Sequence, residues 1–139
     1  MAQAESPLEV AVERVGDRWS LLVVDALLAG PRRWSELLED VSGIAPNILS
    51  DRLKRLERED VVTSRPYSRR PLRVVYELTA GGRELAGALR LLADWGSRRW
   101  PGAEPMRHGA CGTPMEARWY CPTCARPVGE EEAQDVRVL

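Results

Sequence analysis

Histidine is almost missing from this chain: His108 is the only one in 139 residues. Cysteine is scarce too, and Cys111, Cys121 and Cys124 all come late. No Ser-His-Asp or Cys-His catalytic set can be assembled from so little, and no glycine-rich phosphate loop is present. An enzyme is therefore not expected. Long apolar runs are missing as well. The longest helical apolar stretch, residues 21–29, is interrupted by Asp25 and is too short to cross a bilayer. The amino terminus carries Glu5, Glu9 and Glu13 where a secretory signal would be basic, then apolar. The expected location is the cytoplasm, with no membrane partner.

What is present is ordinary in amount and uneven in place. A hydrophobic fraction of 44% and a charged fraction of 29% suit one soluble core with, at most, a small appendage. The net charge is −1, yet residues 46–75 carry eight basic side chains against four acidic ones, +4 locally. The acidic excess lies elsewhere, notably at Glu130, Glu131 and Glu132. Phosphates are neutralised by the residues that reach them, so local charge is what counts. Arginines that only solvate a surface are the alternative reading.

Within that basic region Leu49, Leu53 and Leu56 recur at i, i+4 and i+7, one apolar stripe of a helix. Asn47, Asp51, Lys54 and Arg58 point the other way, flanked by Ser50 and Arg55. Two alternating segments follow, 61–67 and 73–78, joined by Ser68, Arg69, Arg70, Pro71 and Leu72. A polar, partly basic helix beside a basic β-turn matches how a winged helix meets duplex DNA. The helix enters the major groove, and the turn reaches phosphates or the adjacent minor groove.

Upstream, Leu8, Val12 and Val15 form a short stripe ending at Gly16. Asp17 fits the N-cap of a helix running to about Ala29, with Trp19, Leu22, Val23 and Ala26 on one face. Gly30-Pro31 stops it. Residues 35–41 read as another short helix, Arg33 and Trp34 as a small first strand, and Pro46 as the first turn of the third helix. The expected fold is mainly α with a small β-wing, a winged helix-turn-helix.

Four strings in this order carry a family resemblance: GDRWSLLVVDALLAGPRRWSEL, IAPNILSDRLKRLE, YELTAGGREL and ADWG. Over about residues 12–96 the chain resembles the HxlR-type winged helix-turn-helix regulators, of the broader MarR-like kind. The resemblance implies a homodimeric bacterial transcription factor, by family habit more often a repressor. Its recognition helix would span residues 46–59 and its wing 65–75. Ala45 departs from the pattern, standing where relatives often place a serine or similar cap. Losing that cap costs about 1 kcal/mol of helix stability, left to Pro46 and packing to offset. Trp34 replaces the usual phenylalanine. Several relatives use an N-terminal cysteine as a redox switch; no cysteine precedes Cys111 here, so that route is closed. The inducing signal, for which a small-molecule effector is one expectation, stays open.

Thr79 is the expected N-cap of a last long helix, with Leu85, Leu89, Leu92 and Trp95 in one stripe broadened by Ala88 and Leu91. With the resemblance behind it, this face is expected to form a dimer interface together with the N-terminal helix; burial within one subunit is the alternative. A twofold dimer would set two recognition helices about 34 Å apart on a pseudo-palindromic operator.

After a linker at 101–106, His108, Cys111, Cys121 and Cys124 occur as H-x2-C, nine residues, C-x2-C. Two short knuckles with a strand pair between them can close a tetrahedral site for one structural zinc ion per chain. Metal binding would then supply most of the module's folding energy. A redox dithiol of Cys121 and Cys124 and a catalytic metal are the rival readings, and water or an acid could replace His108 as fourth ligand. The expected organisation is a winged-helix DNA-binding and dimerisation domain over residues 1–100, a zinc-ribbon-like module over 107–129, and a flexible acidic tail over 130–139.

For double-stranded DNA as partner, Asn47, Ser50, Asp51 and Lys54 are expected at base edges, Asn47 on adenine and Lys54 on guanine. Arg52, Arg55 and Arg58 are expected on phosphates, with Arg69, Arg70 and Arg73 from the wing. A general component of the transcription machinery, or a winged helix used only for protein contacts, remains the alternative function.

Overall fold

The leucine stripe of the third predicted helix lies at the centre of the core. In the computed structural model, which describes residues 5–135, helix α4 (Pro46–Arg58) buries Leu49, Leu53 and Leu56 almost completely. Each such side chain removed from water contributes about 1.5–3 kcal/mol. Around them close Val23, Val24 and Leu27 of α2 (Arg18–Leu28), Leu37 of α3 (Trp34–Asp40), and Val41 and Ile44 of the following turn.

Helix α1 (Pro7–Val15) starts in a capping box, Ser6 and Glu9 each donating a backbone N–H to the other's side chain. Of its predicted apolar stripe only Val15 is buried; Leu8 and Val12 are exposed. Asp17 caps α2 as expected, accepting from the backbone N–H groups of Trp19 and Ser20 at 3.1 and 3.0 Å. The buried face of α2 differs from the predicted one. It is Ser20, Val23, Val24 and Leu27, while Leu22 is exposed and Trp19 and Ala26 sit at the edge. Contact with α4 selects that face, rotated from the predicted one.

Strand β1 is Arg32–Arg33, and Trp34 opens α3 instead of extending the strand. The Arg33 backbone N–H donates to Glu36 Oε2 at 2.7 Å, and this starts the helix one residue early. The sheet order is β1-β3-β2, all antiparallel, with β2 Val62–Arg69 and β3 Leu72–Leu78. Pairing continues to Arg69 opposite Leu72, so the five-residue connection expected from the sequence shrinks to Arg70-Pro71. The Ser68 hydroxyl, donating to the Pro71 carbonyl at 3.0 Å, tightens it.

Thr79 caps a helix, but only the short α5 (Ala80–Arg83); the chain then turns at Glu84 into α6 (Leu85–Arg99). Leu85 and Leu89 pack on the core, and no residue from Arg90 to Glu132 is buried. The chain accordingly divides into two compact units between Leu89 and Arg90, inside α6 and not at the linker. The second unit holds an isolated bridge between Arg107 and Pro114 and a two-stranded pairing of β4 (Tyr120–Cys121) with β5 (Arg126–Pro127). Strand pairing thus closes each cysteine turn separately and does not lie between them. Glu130–Asp135 form a 3-10 turn tied back by Arg126 to Glu132 at 2.6 Å, where a flexible tail was expected. The remainder of that tail, 136–139, lies outside the described residues. No helix among the described residues is long and apolar enough to cross a membrane.

Candidate nucleic-acid interface

Opposite the leucine stripe, α4 exposes Asn47, Asp51, Lys54 and Arg58 in one row, at helical spacings of four, three and four. Ala45 supplies no side-chain cap, and Pro46 fills the first helical position. Along the hairpin, Arg69, Arg70 and Arg73 are exposed and enter no ion pair among the described residues; the same holds for Lys54 and Arg58. Arg65, lower on the hairpin, is held by Glu77 at 3.4 Å. These free cations are the groups available to phosphates.

Three of the residues assigned to DNA from sequence are held by other elements of the protein, and a fourth, Asp51, pairs with Arg52 within α4. Ser50 accepts from the Trp34 indole N–H at 3.1 Å. The Arg52 Nε donates to Asp17 Oδ1 at 2.9 Å, and its Nη1 to Asp51 at 2.6 Å. Arg55 lies 3.5 Å from Asp17 Oδ2 and donates to the Glu13 carbonyl at the end of α1. They hold the recognition helix to α1, α2 and α3. Lys54, next to Arg55, and Arg58, three positions on, enter no ion pair among the described residues.

Asp17 is the residue that sequence reading undervalued. It was read as a cap, and the same carboxylate also anchors Arg52 and Arg55. Burial raises its pKa, but donations from Ser20 and Arg52 outweigh this and bring it to about 2, below its ordinary 3.8. A carboxylate depressed on folding stabilises above its unfolded pKa and loses that contribution as pH falls through its folded one. Asp17→Ala is expected to cost about 2 kcal/mol in denaturant unfolding at neutral pH, from a cap and a charged hydrogen bond. The gap from wild type should narrow as pH falls from about 4 toward 2. A gap independent of pH would mean that the carboxylate's charge contributes nothing.

The metal-type residues come together as pairs. His108 Nδ1 lies 3.4 Å from Cys111 Sγ, and Cys124 hydrogen-bonds to Cys121 through its backbone and side chain. Hydrogen bonding with the Thr113 hydroxyl, then with its backbone and with His108, brings the Cys111 thiol down to about 7. Among the described residues no three of His, Cys, Asp and Glu stand in one group that could hold a metal. All three cysteines are free thiols.

Comparison with known proteins places the chain in one family. Residues 14–104 match the family described as HxlR-like helix-turn-helix. An uncharacterized HTH-type transcriptional regulator of Mycobacterium tuberculosis is 35% identical over 122 residues, covering 85% of this chain and 77% of its own length. The HTH-type transcriptional regulator YodB of Bacillus subtilis is 32% identical over 88 residues, 63% of this chain and 79% of YodB. Among solved structures, PA1607, described as a candidate transcription factor, superposes with a TM-score of 0.78 at 28% identity, over 99% of this chain and 96% of that one. The chain belongs to the HxlR-like helix-turn-helix family.

Proposed function

We propose that this chain is a sequence-specific transcriptional regulator that binds a pseudo-palindromic operator as a homodimer and represses by occluding it. The observation that carries the reading is the exposed row of Asn47, Asp51, Lys54 and Arg58 on α4, together with the free wing arginines 69, 70 and 73. Asn47 and Lys54 read bases; Arg58 and the wing arginines grip phosphates. The dimer reading is supported by apolar side chains left exposed on α1, Leu8 and Val12, and on α6, Leu91, Leu92 and Trp95. A second copy is the partner such faces fit.

Fluorescence anisotropy on DNA upstream of the protein's own gene, against scrambled DNA at several salt concentrations, tests it. A large preference for the upstream DNA supports the reading. Equal, steeply salt-dependent binding to both points to a general DNA binder. No binding at low salt points to protein contacts. Lys54→Ala is expected to relax preference at one base pair per half-site by about 1–3 kcal/mol, with binding to scrambled DNA little changed.

A further inference from the structure

One motif has no part in the reading above: His108-x2-Cys111 and Cys121-x2-Cys124. Each lies in a tight turn closed by short antiparallel pairing. Around the first, Arg107 bridges Pro114, the His108 N–H donates to the Thr113 carbonyl at 2.8 Å, and the Gly112 N–H donates to the His108 carbonyl at 2.7 Å. Around the second, Tyr120 pairs with Pro127 and Cys121 with Arg126. In both turns the residue directly after the second donor, Cys111 or Cys124, is left-handed, Gly112 at φ +73° and Ala125 at φ +53°. That conformation is open to glycine but costs a residue with a side chain roughly 1–2 kcal/mol. The same backbone turn is therefore built twice, once against the preference of its residue, and each time it brings a pair of donors together.

The spacing of the first pair is informative. Zinc bonds of about 2.3 Å to sulfur and about 2.1 Å to nitrogen, opened to the tetrahedral angle, put neighbouring donor atoms about 3.6 Å apart. His108 Nδ1 and Cys111 Sγ stand at 3.4 Å. A second, independent observation concerns folding. From Arg90 to Glu132 no residue is buried, and Met115, Trp119 and Tyr120 are exposed. Apolar burial does not account for the order of these turns. Glu116, the acid between them, is taken by Arg118 at 2.7 Å.

We propose that His108, Cys111, Cys121 and Cys124 bind one zinc ion that joins the two turns and serves as the core of the C-terminal module. The two pairs stand as separate halves, with no three donors grouped. The nine residues 112–120 between Cys111 and Cys121, mostly without regular structure, give the reach to close them. On binding, each thiol releases its proton to solvent and the imidazole stays neutral. Four protein donors leave no open position, so the site is structural.

The test uses the full chain, purified with reductant and zinc, gel-filtered and assayed for metal. One equivalent per chain is expected, released on thiol modification. Cobalt(II) should take the same site and show the visible bands of tetrahedral, thiolate-bound cobalt. Cys111→Ser and Cys121→Ser should each lose the stoichiometric metal, and His108→Cys should retain it. Because variants can misfold, trypsin cleavage at Arg107 and Arg118 of the unaltered protein gives a second readout: protection with zinc, lost on chelation. Substoichiometric metal in the reduced protein, a cysteine variant that keeps the cobalt spectrum, or cleavage indifferent to chelation overturns the proposal. So does a Cys121–Cys124 disulfide as the stable state of zinc-supplied protein, which would make the pair a redox dithiol.

Discussion

Replacing Arg69 and Arg70 together with alanine is expected to weaken DNA binding more than any single change on the recognition helix. Both side chains are exposed at the wing tip and enter no ion pair among the described residues, so their removal leaves the fold alone. Each lost phosphate contact lowers the slope of log affinity against log salt by about 0.9, so two flatten it by about 1.8 per protomer. Near 0.1 M salt that is a loss on the order of 50-fold per protomer. The loss should be alike on operator and scrambled DNA, because phosphates carry no sequence. Arg52→Ala offers the contrast: Arg52 is bound to Asp17 and Asp51, so its removal should appear first in stability and only then in binding. Unchanged affinity in the double wing variant would take the wing out of the interface.

Gly82→Ala is expected to be the most damaging small substitution in the fold. A Cβ at Gly82 would lie 2.1 Å from the Val61 carbonyl oxygen and 3.3 Å from Leu78 Cδ2. That oxygen cannot step aside, since it accepts from the Thr79 backbone N–H at 3.0 Å and from the Thr79 hydroxyl at 3.2 Å. The short α5 would have to lift from the end of the hairpin, for about 3 kcal/mol. The denaturant midpoint should drop with its slope unchanged. Gly81→Ala is the internal control, because there the nearest atoms are 3.8 Å away; its effect should stay within about 0.5 kcal/mol. Equal losses at the two neighbours would mean that backbone preference, not the close approach, governs the site.

Local physics was legible in the sequence, and distant partnerships were not. The stripe of Leu49, Leu53 and Leu56 stood out because apolar and polar residues separate cleanly at helical period on α4. Asp17 as a cap could be read because its partners, Trp19 and Ser20, are its immediate neighbours. Its hold on Arg52 could not, because 35 positions separate the two and nothing periodic links them. The consequence fell on the site: Arg52 and Arg55 have the composition of phosphate ligands and the surroundings of structural arginines. Trp34 and Ser50 repeat the lesson, sixteen positions apart. The wing was found but drawn too short in its strands, because the bond that tightens it runs from a serine hydroxyl, which no alternation of residues reveals. In the second unit spacing alone was readable, since without a buried face there is no hydrophobic pattern to follow.

The division inside α6 bears on how the molecule comes apart. A chain whose first unit is held by a packed aliphatic core and whose second has no buried residue between Arg90 and Glu132 does not melt as one body, and a single midpoint does not describe it. Its tryptophans fall on both sides of the divide, Trp19 and Trp34 before it and Trp95, Trp100 and Trp119 after it. Intrinsic fluorescence on heating therefore records two separate losses of order, while the helical circular dichroism signal follows chiefly the first.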